Sequence, residues 1–238
     1  MAAALFWLAV WQIAAFKVGR ELILPGPIVV IRTLLSLASD SEFWLASGLT
    51  LLRIFSGFLA GLAAGTMLSV LTCSSRLCSA VFSPAIKVVR AVPVASFIIL
   101  ILLWVNRGFV PGVVSALIVV PVVWQSTEAA IKETDGNLLE MAGIYGLGRW
   151  KTIRYIYVPS VLPAWTASAE NTLGLAWKSG VAAEVLCLPK LAVGTQLYYS
   201  KIYLETPSLF AWTAVIIILS FFVEYVLVKI IRGVLKND

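Results

Sequence analysis

The chain has 238 residues, 61% of them hydrophobic and only 13% charged. A water-solvated domain of that length could not hide so much apolar surface, so composition excludes a soluble globular fold and requires lipid as the main solvent. The formal net charge of +6 comes from basic residues that flank apolar spans. That placement reads as membrane anchoring and argues against a nucleic-acid partner. No histidine is present, which removes the usual general base and the commonest metal ligand.

Six segments are apolar over about the 20 residues a helix needs to cross the hydrocarbon core. They are expected near 2–18, 48–72, 80–105, 110–128, 160–186 and 207–231. The first opens MAAALFW without the positive n-region of a cleaved leader. It reads as a membrane helix whose upstream residues are short or absent. Between the first two spans, 24-LPGPIVVIRTLLSLASDSEFW-44 is too polar at its ends to cross. Pro25 and Pro27 open a helical pattern that gathers Ile28, Ile31, Leu34, Leu35 and Leu37 on one side, as in a helix lying at the outer interface.

The second span contains 57-GFLAGLAAG-65. Its Gly57, Gly61 and Gly65 form a stripe that lets a neighbouring helix approach closely. Arg53, near the outer end of the span, is expected to snorkel to the surface. Cys73 and Cys78 lie five residues apart without a histidine, so packing explains them better than a metal. In the third span Lys87 and Arg90 precede 91-AVPVAS-96, and Pro93 should break or kink the helix. Two readings of Arg90 and Pro93 stay open, a snorkelling charge beside a kink or the lining of a polar path.

The fifth span is the most polar, with Glu170, Asn171, Trp177, Lys178 and Glu184. Around a helix, Glu170 and Glu184 differ by about 40°, and Glu170 and Lys178 by about 80°. Ionisable residues on one face within a span line a water-filled path or have a structural role, here an ion pair that pins helix packing or a Glu184 that emerges at the outer interface. Both readings stand at this point.

Between the fourth and fifth spans the chain interrupts itself with a short basic segment, about 129–159. Asn137 with Glu140 three residues on forms a capping box, so a helix should start at Leu138. Gly146 is placed to end it with a positive φ, Gly148 permits a reversal, and 149-RWKTIRYIYV-158 reads as a second short helix stopped by Pro159. The run 146-GLGRWKT-152 lacks the spacing of a phosphate loop. With both termini cytoplasmic, ten basic residues face inward (Arg76, Lys87, Arg90, Lys132, Arg149, Lys151, Arg154, Lys229, Arg232 and Lys236) against six outward. That bias puts the segment in the cytoplasm. Physics alone leaves two uses for it, an apolar ridge docked in a partner's groove or a loop resting on the membrane surface.

The residue order here resembles the signature of importer-type ABC permeases: E-A-A, three residues, G, nine residues, I, one residue, L-P. The chain has Glu140-Met141-Ala142, Gly146, Ile156, then Val158-Pro159 in the same spacing, with Met141 and Val158 as mild departures. The 24-LPGP-27 entry, 90-RAVPVAS-96 and 170-ENTLGLAWKSGVAAEVL-186 also look like the nitrate/sulfonate/taurine group of these permeases. The resemblance implies an all-α polytopic fold of the type I importer, one transmembrane domain over 1–238, in a bacterial inner membrane. It implies a second permease subunit that completes a homodimer, a pair of cytoplasmic ATPase subunits that carry ATP and Mg, and an extracytoplasmic substrate-binding protein. No cofactor is expected on this chain, and no catalytic residue. Glu140, Met141, Ala142, Gly146, Leu147, Gly148, Ile156 and Pro159 are the implied ATPase-coupling residues. Arg90, Pro93, Glu170, Asn171, Trp177, Lys178 and Glu184 are candidates for the translocation path. The implied solute is a small anion such as a sulfonate or nitrate, or a vitamin-precursor-like heterocycle. A secondary transporter is the rival reading, but it would want inverted repeats that the halves do not display. A membrane enzyme would want catalytic side chains that are not evident.

Overall fold

The computed structural model describes residues 2–235, so Lys236 from the charge count above lies outside the described residues. Those residues form helices and no strand: α1 (Ala2–Val18), α2 (Pro27–Ala38), α3 (Ser41–Ser74), α4 (Arg76–Ala91), α5 (Val94–Ile101), α6 (Val110–Lys132), α7 (Gly136–Ile144), α8 (Arg149–Thr152), α9 (Val158–Cys187), α10 (Val193–Ile202) and α11 (Thr206–Leu235).

The boundaries follow local chemistry. Pro27 opens α2 behind an extended Gly26, where a missing N–H costs nothing. Asp40 caps α3 by accepting the Glu42 N–H at 3.1 Å, satisfying a donor that the first turn leaves free. The outer amphipathic segment therefore ends at Ala38 rather than 44, and α3 begins at Ser41, earlier than the expected 48.

The centre of the fold is α3, α6 and α9. The glycine stripe works as expected: a Cβ on Gly57 would sit 2.0 Å from the Gly112 carbonyl oxygen, and one on Gly61 2.7 Å from the Val119 Cβ. These contacts advance together along both helices, so α3 and α6 run parallel. Helix α9 runs antiparallel to them. Trp165 donates to Thr66 at 2.8 Å near its start, Ser115 donates to the Ala176 carbonyl at 3.0 Å midway, and a Cβ on Gly180 would strike Ile54 and Ser115. Ile54, Phe58, Leu62, Val119, Val123, Leu173, Ala176 and Val181 fill the space between the three.

Parallel α3 and α6 require the chain between them to return across the layer. It does so in two pieces. The expected single span at 80–105 is α4 and α5, bent by 106° at a break. Pro93 offers no N–H and pushes Val92 into extended backbone (φ −79°, ψ 132°). Among the described residues three helices are long and apolar enough to cross a bilayer alone, α3, α6 and the Thr206–Lys229 part of α11, with the bent α4–α5 pair as a possible fourth. Helix α9 has 30 residues but carries Glu170, Lys178 and Glu184. Helix α1 stands at the edge, with Trp11 donating to the Pro25 carbonyl at 3.1 Å and stacking on Phe210.

Candidate coupling elbow and translocation cavity

The segment between α6 and α9 is an elbow built by backbone rules. Asp135, not Asn137, caps α7: its carboxylate accepts the Asn137 N–H at 2.9 Å, so the helix begins at Gly136, two residues before the expected start. Asp135 wins because a carboxylate two residues ahead of an orphan N–H makes the stronger cap. At the other end the Leu147 N–H donates to the Ala142 carbonyl at 2.9 Å and the Gly146 N–H to the Gly143 carbonyl at 3.1 Å. That pair of bonds is a Schellman motif, and it needs a left-handed residue at Gly146, where φ is +66°. Ala142 is buried beneath the turn and Leu147 half-buried beside it. Glu140, Met141, Gly146 and Gly148 are exposed.

The elbow presents apolar side chains to solvent. Ile144 is 84% exposed, Tyr145 77% and Trp150 75%. Large apolar groups gathered on a polar loop mark a surface that meets something else.

Pro159 does not stop the second short helix. Helix α8 runs into a π turn over Ile153–Tyr157, and α9 follows with helical dihedrals at Tyr157 and Val158. Pro159 is the second residue of α9, and Pro163 lies inside it. One helical rod thus joins the elbow to the far end of α9, with Ile156 buried against the body.

Midway along that rod lies a cavity of about 580 Å³ between α9 and α11. Glu170, Asn171, Trp177 and Lys178 line it from α9, and Ser220, Phe221 and Glu224 from α11. Four of the seven path candidates therefore share one space. Trp177 is buried, and its indole N–H has no partner. Glu224 was missed by sequence reasoning, although a lone carboxylate within an apolar span was the available signal.

The remaining candidates lie elsewhere. Glu184 is fully buried and does not line the cavity. Thr50 donates to its carboxylate at 3.0 Å, the Gly194 N–H does so at 3.1 Å, and the Arg53 guanidinium stands 3.8 Å away. Thr50 also accepts the Val193 N–H at 3.0 Å. Arg53 does not snorkel freely; it donates to the carbonyls of Lys190 and Leu191. The set clamps the end of α9 to α3 and to α10, a helix the sequence reading did not anticipate. Arg90 donates to Gln125 beside a separate cavity of about 170 Å³ lined by α4, α5 and α6. Pro93 sits exposed at the bend above it. The structure does not bring Arg90 and Pro93 together with the α9 group.

A family model described as "Binding-protein-dependent transport system inner membrane component" matches residues 57–236. The riboflavin transport system permease protein RibX of Chloroflexus aurantiacus is 26% identical over 215 residues, covering 90% of this chain and 80% of that protein. The taurine transport system permease protein TauC of Escherichia coli is 26% identical over 224 residues, with the same coverage. Among solved structures, a bacterial ABC transporter that imports the acidic polysaccharide alginate superposes with a TM-score of 0.65 at 17% identity, over 99% of this chain and 94% of that one. An amino acid ABC transporter gives 0.62 at 18% identity, over 79% and 90%. At such identities the structures speak for the fold, and the family match over most of the chain speaks for descent. The chain belongs to the family of binding-protein-dependent transport system inner membrane components, and it is a multi-pass permease subunit of an ABC importer.

Proposed function

We propose that the elbow at about 129–159 is where a separate ATPase subunit docks, and that α9 carries its motion to the cavity. The observation behind this reading is the elbow itself: a Schellman-capped turn exposing Ile144, Tyr145 and Trp150, joined without a break to the helix that bears Glu170 and Lys178. Glu140, Met141, Ala142, Gly146, Leu147, Gly148, Ile156 and Pro159 form and orient that surface. ATP and Mg belong to the ATPase, and this chain binds neither. Closure of the ATPase pair displaces the elbow, the rod follows, and the cavity changes the side of the membrane it faces, as alternating access requires.

In this reading the permease works as a homodimer in a bacterial inner membrane, with elbow and termini cytoplasmic and a substrate-binding protein outside. Relatives named for taurine and for riboflavin bracket two substrate classes, a small anion and a heterocycle. Lys178 offers a contact for an anionic group, whereas Glu170 and Glu224 in the same cavity repel a bare anion and accept hydrogen bonds from a heterocycle. The cavity therefore suits a heterocycle, or a solute carrying its own donors, better than nitrate.

The test is Gly146→Trp. Nothing lies within 4 Å of a Cβ there, but the left-handed φ of +66° strains any L side chain. ATPase binding and the unfolding midpoint are therefore measured beside uptake, to separate a lost docking surface from a lost turn. ATP-driven uptake into proteoliposomes should be lost. A variant that binds its ATPase and transports at the normal rate would show that the elbow is not the coupling element.

A further inference from the structure

We propose that Pro159 sets the rotational phase between the elbow and the cavity face of α9 by holding one turn of the helix wide. The inference rests on the reading above, that the elbow delivers motion to α9.

The rod from Arg149 to Cys187 is continuous but not uniform. The Val158 N–H donates to the Ile153 carbonyl, a step of five residues where an α-helix makes four. The next residue is Pro159. It has no N–H, and in a regular α-helix its ring would strike the carbonyl four residues back, that of Tyr155. The return from the five-residue step to the four-residue step therefore falls at the one position with no donor to misplace. Pro163, one turn further on, sits where the helix already keeps its four-residue step. A proline by itself does not widen this rod; its position at the end of the wide turn matters.

A π turn amounts to one residue inserted in an α-helix. It turns everything before it by about 100° and shifts it by about 1.5 Å relative to a uniform helix. Upstream of the turn Trp150 points to solvent, and downstream Glu170 and Lys178 face the cavity. If the turn closed to α geometry, those two sets would no longer be presented as they are. Pro159 acts as a positioning residue: it lies outside the cavity lining, and it fixes how the elbow surface is aimed relative to the cavity face.

The experiment uses the assembled transporter, permease with its ATPase and binding protein, in proteoliposomes. Cys73, Cys78 and Cys187 are replaced by alanine, and spin labels are attached at Lys151→Cys and Lys132→Cys, exposed positions on each side of the elbow that leave Ile144, Tyr145 and Trp150 in place. Pro159→Ala should move the label-to-label distance and lower uptake about tenfold or more. Pro163→Ala should leave the distance unchanged. Combining Pro159→Ala with deletion of Tyr155 removes the extra residue and should restore both distance and uptake, an outcome that a merely structural role for Pro159 would not produce. Unmoved labels in Pro159→Ala, or a double variant that fails to recover the distance, overturn the assignment to Pro159. Moved labels with undiminished uptake overturn instead the reading of the elbow as the coupling element.

Discussion

Replacing Glu184 by alanine should destabilise the permease without acting through the transport path. The carboxylate is the shared acceptor for Thr50 on α3 and the Gly194 N–H of α10, with Arg53 at 3.8 Å. Its loss leaves those donors enclosed with no replacement. Removing one member of a buried, charge-linked hydrogen-bonded set costs about 3–5 kcal/mol. At roughly 2–4 °C per kcal/mol for a chain of this size, the thermal midpoint should fall by about 6–20 °C. The assay is the unfolding midpoint of the detergent-solubilised transporter, taken alongside uptake. Thr50→Val opens the same clamp from the other side. The double variant should therefore cost less than the sum of the singles, by about 0.5–3 kcal/mol. An unchanged midpoint with altered solute affinity in Glu184→Ala would refute the clamp and return Glu184 to the path.

Three further outcomes follow from the same geometry. Gly57→Ala puts a methyl 2.0 Å from the Gly112 carbonyl and should force α3 from α6 at a cost of about 1–3 kcal/mol or more. The yield of monodisperse protein should drop, while Gly48→Ala, with nothing within 4 Å, should leave it unchanged. Ile144→Ser and Trp150→Ser remove exposed side chains, so the permease midpoint should hold within about 0.5 kcal/mol. Each should still weaken ATPase binding, measured by titration, by about thirtyfold if it is a 2 kcal/mol anchor. Lys178→Ala and Glu224→Gln alter side chains facing the cavity. They should change the apparent solute affinity in uptake assays and spare the midpoint, the reverse of Glu184→Ala.

Much of this protein is legible in its residue order because local rules write it there. Apolar length places the helices, the stripe of Gly57, Gly61 and Gly65 announces a close helix pair, and the positive φ at Gly146 follows from glycine's freedom where a helix must end. The coupling signature is likewise a matter of spacing along one chain. What spacing cannot carry is which faces meet. Glu170 and Glu184 lie about 40° apart on one helix, yet one borders a cavity and the other is enclosed by Thr50 and Gly194, residues 134 and 10 positions away. Glu224 joins the first only because α11 packs beside α9. Pro159 looks like a stop from the sequence, since proline breaks a four-residue ladder. Only the folded chain decides otherwise, because a five-residue turn ahead of it absorbs the missing N–H and keeps the rod whole.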